Sequence, residues 1–327
     1  MSNPLDVVGI GNALVDVLSH QDDAFIDGIG VTKGAMTLVD GDRSAELYRL
    51  AAEHTTMSGG SAANTVIGVG SLGGTSGYVG RVAEDDLGET FARDMEALGI
   101  EYTTPRAPHD DPTGRCIVFI TPDGERTLNT FLGASNGLTP GDVDMELVRR
   151  GRIVFLEGYL WDPPEAKTAM RDAAAAVADG NRVALTLSDP FCVERHRQSF
   201  LDLIDDHVDV LFANHHELMS LVEVDDLDRA IELVSGRVEL AAVTMSADGS
   251  VLVNGSDRVR IAAEPVDAVL DATGAGDLYA SGVLYGLAHD LDLDVCGRLG
   301  SIAAAEVISH VGPRPDVSLK ELAADLI

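Results

Sequence analysis

The chain has 327 residues, of which 45% are hydrophobic, so it can bury a sizeable core as one large α/β domain with an accessory segment or as two domains. The formal net charge of −31 argues against a nucleic-acid partner and against an anionic membrane surface, because both require clustered Lys and Arg side chains. Lys occurs only at positions 33, 167 and 320, and such an acidic, Arg-dominated surface is compatible with a salt-rich environment or simply with a soluble acidic protein.

The N-terminal residues and the cysteines favour a cytoplasmic protein. The segment MSNPLDVVGIGNALVDVL lacks the basic region and the cleavage site of a secretory signal, and no apolar run is long enough to span a membrane. Cys116, Cys192 and Cys296 are too widely spaced for a disulfide framework or a zinc site, and buried positions in a reducing compartment suit them better. We therefore expect cytoplasmic localisation and no membrane partner.

Short β-branched runs alternate with Ala- and Leu-rich helical segments along most of the chain. The predicted strands are Val7–Ile10, Ile117–Ile120, Ile153–Leu156, Val183–Leu187, Val208–Phe212 and Leu240–Thr244. The predicted helices are Asp42–Glu53, Gly88–Leu98, Glu165–Val177, Leu227–Val234 and Ala275–Ala288. Apolar strands interleaved with helices are typical of a mostly parallel sheet that is covered on both faces.

Two segments depart from this alternation, at about residues 13–38 and 112–134. Both have the pattern of hairpins, and the second contains the turn signal TPDG at residues 121–124. We expect the two segments to combine into a small β-sheet lid inserted in the main domain.

The motif that points most directly to chemistry is DATGAGD, at residues 271–277, which is followed by an apolar helical run. Gly274, Ala275 and Gly276 have little or no side chain, so their N–H groups can approach an anion at a positively polarised helix N-terminus. Such an anion hole suits the charge that develops on a transferred phosphoryl group. Asp277, in the first turn of the helix, is placed to act as a general base. The alternative interpretation is a helix N-terminus that merely has an acidic first turn.

The motif resembles the C-terminal signature of the ribokinase-like (PfkB) kinases, and GGSAANT at residues 59–65 resembles their N-terminal signature. No GxxxxGK[ST] loop occurs in the chain. The resemblance implies one kinase domain over residues 1–327, with a three-layer α/β/α fold, a mostly parallel central sheet and a small β-sheet lid. It also implies transfer of the γ-phosphoryl group of ATP to a substrate hydroxyl, with Asp277 as the base.

Further landmarks of the resemblance imply a substrate site. In GNALVD, residues 11–16, Asp16 would accept hydrogen bonds from two adjacent substrate hydroxyls, as an ionised carboxylate can, with Asn12 nearby. In the N-terminal signature the backbone can approach a sugar closely, and polar side chains can bind its hydroxyls. The residues assigned there are Gly59, Gly60, Ser61 and Asn64.

The nucleotide site is implied in the same way. NHHE at residues 214–217 resembles the NxxE motif, in which Asn214 and Glu217 organise Mg²⁺ through its waters. VTMSADGS resembles a T-x-G loop at Thr244 and Gly249, although Ser246 stands where Gly is common. The remaining residues assigned to ATP are Thr273, Ala303, His310 and, facing the triphosphate, Arg126. A monovalent cation such as K⁺ is permitted by the loop around Asp271 and Thr273.

Local patterns resemble adenosine kinases more than sugar kinases of the family. TGRC at residues 113–116, RTLNTFLGASN at 126–136 and LSDPF at 187–191 imply an apolar slot for a nucleobase. The residues assigned to that slot are Met36, Leu38, Cys116, Leu128, Leu132 and Phe191. Adenosine is therefore the expected acceptor, in a purine salvage reaction. A sugar kinase of the same family and a non-catalytic nucleoside sensor remain open, as does the choice between a monomer and a homodimer.

Overall fold

The computed structural model describes residues 3–51, 53–108 and 111–327. The strands are β1 (Leu5–Ile10), β2 (Leu14–His20), β3 (Met36–Leu38), β4 (Thr55–Gly59), β5 (Ser76–Val79), β6 (Glu101–Tyr102), β7 (Gly114–Ile120), β8 (Arg126–Phe131), β9 (Gly151–Glu157), β10 (Arg182–Thr186), β11 (Val210–Asn214), β12 (Leu240–Thr244), β13 (Ser250–Asn254) and β14 (Asp257–Ile261). The helices are α1 (Asp23–Ile29), α2 (Gly41–Leu50), α3 (Ser61–Ser71), α4 (Asp86–Ala97), α5 (Met145–Arg150), α6 (Pro164–Ala175), α7 (Pro190–His207), α8 (His215–Val222), α9 (Leu227–Ser235), α10 (Ala275–Ala288), α11 (Leu293–Ile308) and α12 (Leu319–Leu322).

The larger sheet has nine strands in the order β14-β13-β12-β11-β10-β9-β1-β5-β6. Its pairs are parallel from β6 to β12, and the β12-β13 and β13-β14 pairs are antiparallel. Alternate residues of its strands enter separate cores on the two faces, with Val8 and Val154 on one face and Val7 and Ile153 on the other. The predicted α/β fold with a mostly parallel sheet is confirmed.

The smaller sheet, which we call the lid, has five strands in the order β3-β8-β7-β2-β4. The predicted strand Ile117–Ile120 lies in β7 and so belongs to the lid rather than to the central sheet. Strand β4 lies outside the two segments predicted for the lid, because its sequence, TTMSG, has no apolar run and only its last two residues are buried. The lid therefore draws on three separate parts of the chain.

Helices α3 and α10 pack against each other at the junction between the lid and the central sheet. A Cβ atom on Gly68 of α3 would overlap the Ser281 side chain of α10, so glycine permits their close approach. Helix α3 begins directly after the lid strand β4, and α10 begins directly after the DATG segment. This packing brings the two signature motifs together.

The three cysteines are unpaired and buried, as the sequence predicted. Burial raises the pKa of each thiol, at Cys116, Cys192 and Cys296, to about 12. Such thiols are protonated and weakly nucleophilic at neutral pH. Within the described residues, no helix has both the length and the hydropathy needed to cross a bilayer.

Candidate active site

A cleft of about 1390 Å³ lies between the lid and the central sheet. The central sheet lines it with residues at the carboxyl ends of parallel strands, including Thr186 of β10, Asn214 of β11 and Thr244 of β12. The lid lines it with Asp16 and Cys116. The carboxyl ends of parallel strands are the usual location of ligand sites in open α/β sheets.

Asp277 lies in the first turn of α10 and lines this cleft. Ser61 Oγ donates a hydrogen bond to its Oδ1 atom at 2.6 Å, and Asn64 Nδ2 donates one to its Oδ2 atom at 3.0 Å. Burial raises the pKa of Asp277, and these two hydrogen bonds act in the opposite direction. Ser61 and Asn64 of the GGSAANT motif therefore orient the carboxylate of Asp277 in the DATGAGD motif.

The loop before α10 is fixed by Asp271. One Asp271 oxygen accepts a hydrogen bond from Thr273 N at 3.0 Å, and the other accepts from Gly312 N at 2.8 Å and from Arg126 Nη1. Gly274 has φ +79°, and a Cβ atom there would lie 2.9 Å from the backbone of Pro313. Only glycine fits this position, which fixes the start of α10 at the cleft, where Ala275 N donates to Ala272 O at 3.3 Å and Gly276 lines the cleft wall.

Asp16, on β2, faces the same cleft from the lid. Burial raises its pKa to about 6, although the charges of Arg126 and Arg314 act to lower it and those of Asp277 and Asp271 act to raise it. Its Cα position pairs with Cys116 on β7. A carboxylate that is ionised at neutral pH can accept two hydrogen bonds from a vicinal diol.

Asn12 is held by two residues that the sequence analysis did not identify. Glu157 accepts hydrogen bonds from Asn12 Nδ2 and from Ala62 N, both at 2.9 Å, and Ser135 Oγ donates to Asn12 Oδ1 at 3.0 Å. Burial raises the pKa of Glu157 to about 7. The available signal was an acidic residue that ends an apolar strand, in GRIVFLE at residues 151–157.

The side chains of Asn214 and Glu217 form a reciprocal capping box at the start of α8. Glu217 N donates to Asn214 Oδ1 and Asn214 N donates to Glu217 Oε2, both at 2.9 Å. Burial raises the pKa of Glu217 to about 7. Both residues line the cleft, so each carboxylate oxygen of Glu217 retains an acceptor position beside its helix-capping contact.

Predicted nucleotide-loop residues also reach the cleft: Thr244, Ser246, Gly249 and Thr273. Ser246 has φ +53°, a left-handed conformation that serine adopts only with strain. The glycine that the resemblance led us to expect at this position would adopt the same conformation without strain.

The six apolar residues assigned to a nucleobase slot all line the cleft. They are Met36, Leu38, Cys116, Leu128, Leu132 and Phe191. Met36, Leu38 and Phe191 are 54%, 59% and 73% exposed, so the slot is open to solvent. The cleft also contains polar residues that the sequence analysis missed, among them Asp162 and Arg195, which form an ion pair at 3.2 Å.

Ala303 and His310, which the sequence analysis assigned to ATP, do not line the cleft. Ala303 is fully buried in the core, and its neighbours Ala304 and Ala305 face the cleft instead, because successive helical residues point in different directions. His310 contacts Glu306, at 3.2 Å.

Arg126 and Gly59 also lie behind the cleft wall rather than on it. The Arg126 guanidinium is buried against Asp271, and its Nη1 atom also donates to Thr273 Oγ1 at 2.9 Å. Gly59 packs its backbone against the Asp16 carboxylate, where no Cβ atom would fit.

Among the described residues, no group of three or more His, Cys, Asp and Glu side chains could enclose a metal ion. The adjacent imidazoles of His215 and His216 lie 3.9 Å apart, as ring centroids. The described part of the chain therefore has no site at which several of these side chains would coordinate a metal ion directly.

Known proteins resemble this chain in sequence and in fold. The profile of the pfkB family carbohydrate kinases matches residues 29–320. The crystal structure of an adenosine kinase from Sinorhizobium meliloti is 47% identical, covers 99% of this chain and 100% of that one, and superposes with a TM-score of 0.91. A probable sugar kinase from Rhizobium etli is 44% identical, covers 100% of both chains, and also has a TM-score of 0.91. Adenosine kinase of Saccharomyces cerevisiae is 26% identical over 96% of this chain and 97% of the yeast protein.

Proposed function

The chain belongs to the pfkB family of carbohydrate kinases, and is thus a phosphotransferase with an alcohol group as acceptor, and we propose that it phosphorylates the 5′-hydroxyl of adenosine with ATP. The observation that carries this proposal is one cleft in which Asp277, Asp16 and an apolar slot occur together. A nucleoside needs all three: a base for the hydroxyl, an acceptor for the ribose diol and an apolar surface for the purine.

Asp16 would accept hydrogen bonds from the 2′- and 3′-hydroxyls of the ribose. Asn12 would contribute beside it, because Glu157 and Ser135 already fix the orientation of its amide. Gly60, with φ +106°, would let the backbone approach the sugar. A site that is oriented before the substrate arrives loses less entropy on binding.

Asp277 would take the proton of the 5′-hydroxyl while the 5′-oxygen of the substrate forms a bond to the γ-phosphorus of ATP. The bond from that phosphorus to the β–γ bridging oxygen breaks, and ADP leaves with the electron pair. The N–H groups of Gly274, Ala275 and Gly276 would stabilise the charge on the transferring phosphoryl group. The hydrogen bonds from Ser61 and Asn64 hold the Asp277 carboxylate in place for this step.

ATP would occupy the part of the cleft beside Thr244, Ser246 and Gly249. Glu217 would hold a water molecule of Mg²⁺ with its free acceptor positions, and the ion, when bound, supplies charge neutralisation to the phosphates. A contribution of K⁺ near Asp271 stays a prediction, since both Asp271 oxygens already accept hydrogen bonds.

Adenosine is favoured over a free sugar by the slot. Met36, Leu38 and Phe191 expose large apolar surfaces to the cleft, which a purine would cover and a small polyol would not. The 47% identity to the Sinorhizobium adenosine kinase supports the same choice. The likeness to the Rhizobium protein named a probable sugar kinase favours a sugar acceptor as the second candidate.

A substrate panel tests the proposal. Purified protein with ATP and Mg²⁺ is assayed for ADP release with adenosine, other nucleosides, ribose, fructose and sugar acids. We expect the highest kcat/KM with adenosine, and AMP as the product. Strong turnover of a free sugar without turnover of adenosine rejects the nucleoside assignment, and adenosine binding without ADP release supports the non-catalytic sensor instead.

A further inference from the structure

Arg314 lies in the segment that follows α11, outside the cleft lining, and the mechanism above gives it no part. Its side chain is only 19% exposed. A guanidinium keeps its charge in proteins, and a buried charge is costly unless it is paired and hydrogen-bonded. The groups that Arg314 contacts therefore show which parts of the fold its buried charge holds together.

Arg314 joins three elements. Its Nη2 atom donates hydrogen bonds to the carbonyl oxygen and the Oγ atom of Ser58 on the lid strand β4. The same atom lies 3.5 Å from Asp94 Oδ2 on α4. Asp94 Oδ2 in turn accepts a hydrogen bond from Ser58 N at 2.9 Å. One guanidinium thus fixes β4 to α4 and to the C-terminal segment.

Strand β4 is the immediate support of Asp16. It pairs with β2 in an antiparallel register that places Ser58 opposite Val15, beside Asp16. Gly59, the next residue, packs its backbone against the Asp16 carboxylate without room for a Cβ atom. A displacement of Ser58 would therefore move the surface against which Asp16 rests.

The segment that carries Arg314 also contacts the anion hole. Gly312 N donates to Asp271, and the backbone of Pro313 packs against Gly274. Gly312 and Pro313, which directly precede Arg314, therefore both contact the loop that precedes α10. Arg314 therefore connects the segment beside this loop to lid strand β4, whereas Arg126 connects the loop itself to lid strand β8.

Arg314 also bears on the charge of Asp16. The charged and titratable groups that face the Asp16 carboxylate from the surrounding elements are Arg126, Arg314, Asp277, Asp271 and Cys116. The buried Arg126 is paired with Asp271, whose negative charge also acts on Asp16, so these two effects oppose each other. Arg314 is the remaining cation in this set, with its acidic partner at the longer distance of 3.5 Å.

We propose that Arg314 is a positioning residue for the acceptor substrate: it ties β4 to the segment beside the anion hole and keeps Asp16 charged, so that Asp16 can accept hydrogen bonds from two adjacent hydroxyls. The inference rests on the proposed role of Asp16, but not on adenosine being the acceptor.

The test compares wild type, Arg314→Gln and Arg314→Lys, with the best acceptor from the substrate panel and saturating ATP. Burial raises the pKa of Asp16 to about 6, and the loss of a nearby positive charge raises it further. In Arg314→Gln, the acid limb of kcat/KM for the acceptor should move to higher pH by about 0.5–1 unit. The KM for the acceptor should increase severalfold at pH values below the acid limb and much less at pH values above it. The pH profile of kcat should match that of wild type, because Arg314 does not contact Asp277.

Arg314→Lys separates charge from geometry. It keeps the positive charge, so its acid limb should stay close to that of wild type, although the loss of the two hydrogen bonds from Arg314 Nη2 to Ser58 lowers the melting temperature. The acceptor's dissociation constant, measured without ATP over the same pH range, should change in parallel with KM in each variant. Arg149→Gln is the matched control, since Arg149 is exposed on α5 and pairs with Glu146 in that helix, at 2.8 Å.

Two results overturn the proposal. One is an Arg314→Gln acid limb that coincides with the wild-type limb while the melting temperature decreases, because Arg314 then acts only on stability. The other is an equal shift in the Gln and Lys variants, because charge is then not the cause. Arg314→Met, whose unbranched apolar chain suits a buried site, provides a second charge-free variant if Arg314→Gln does not fold. A panel that finds a sugar acceptor rejects the adenosine proposal alone, and the same profiles are then measured with that sugar.

Discussion

At the scale of single residues, the site stores backbone strain at Ser246. This residue is exposed, lines the cleft, and has φ +53°. A left-handed conformation costs an L-residue about 1–2 kcal/mol, whereas glycine adopts it without a steric penalty. Strain at a ligand loop is tolerated when the surrounding structure fixes the conformation, here through the hydrogen bond from Gly249 N to Ser246 O at 3.1 Å.

We predict that Ser246→Gly stabilises the protein. The relief of strain exceeds the added entropy of the unfolded chain, so the free energy of unfolding should increase by about 0.5–1 kcal/mol, as measured by urea denaturation. Ser220→Gly, in the interior of α8, is the matched control and should destabilise by a similar amount. A loss of stability in Ser246→Gly would contradict the strain argument.

The substitution Asp277→Asn tests the proposed role of Asp277 as the general base. Asparagine keeps the size of the side chain and its contacts with Ser61 and Asn64, but it cannot accept the substrate proton. We expect kcat to decrease by about 10²–10⁴-fold, as measured by ADP release, with little change in the acceptor's dissociation constant by calorimetry. The exposed Asp172→Asn should leave both quantities unchanged. An Asp277→Asn enzyme of near wild-type activity would refute the base assignment.

Residues with a local sequence signature were predictable, and residues defined by long-range pairing were not. Asp277 and Ser61 occur in compact motifs, and the structure brings them within 2.6 Å of each other. Glu157 holds Asn12 across 145 positions of the chain, and Arg314 reaches Ser58 across 256. No pattern in one sequence marks such pairs, because the fold alone makes them neighbours. For the same reason the ion pair of Arg126 with Asp271 was not predictable, since 145 positions of the chain separate them.

At the scale of secondary-structure elements, helix α8 combines a structural role with a proposed functional one. The capping box of Asn214 and Glu217 satisfies backbone donors at the helix start, as Glu or Gln at this position commonly does. The same carboxylate is proposed to hold a water of Mg²⁺. The two roles can be separated, because capping tolerates a neutral amide and the magnesium contact favours a negative charge.

We predict that Glu217→Gln separates these roles. Burial raises the pKa of Glu217 from 4.5 to about 7, so in wild type this residue's contribution to stability is lost as the pH rises through that range. The unfolding free energy of the variant relative to wild type should therefore increase from acid to mildly alkaline pH, as measured by denaturation at each pH. The Mg²⁺ concentration for half-maximal activity should increase in the same variant.

The exposed Glu165→Gln, in the first turn of α6, is the control for this substitution. It should leave both the pH profile of stability and the Mg²⁺ requirement unchanged. A Glu217→Gln enzyme with an unaltered Mg²⁺ requirement would leave Glu217 with the capping role alone.

Element boundaries were predictable where composition changes sharply. Helix α10 has the predicted bounds, Ala275–Ala288, because a glycine turn precedes it and an apolar run fills it. Strand β4 was missed because TTMSG has neither an apolar run nor alternation, and it is held by its pairing with β2. The hairpin of β13 and β14 was missed as well, since the exposed DRVRI of β14 lacks the apolar character of a buried strand.

At the scale of the whole molecule, the net charge of −31 sets the balance between solubility and self-repulsion. Many exposed carboxylates repel one another in the compact state, and salt screens that repulsion. The buried ion pairs, such as Arg126 with Asp271, are screened much less than the surface charges. Salt should therefore stabilise the protein more than it weakens its internal pairs.

We predict that the melting temperature increases by several degrees between low salt and about 1 M KCl. A variant with Lys at the exposed positions Glu96, Asp179 and Asp206 gains two units of charge at each, so its net charge changes from −31 to −25. Its melting temperature should depend less steeply on KCl. A melting temperature that does not increase with KCl would remove the salt-adaptation hypothesis.

Because all three cysteines are buried, an introduced surface cysteine can be labelled selectively. Because Cys116, Cys192 and Cys296 are buried and remain protonated, a maleimide dye should react first with any newly exposed thiol. The pair Asp27→Cys on α1, which packs on the lid, and Asp179→Cys beyond α6 would carry a donor and an acceptor fluorophore on opposite sides of the cleft. Energy transfer between them would report whether the distance between the lid and the main domain changes when a substrate binds, in a protein that retains every native thiol.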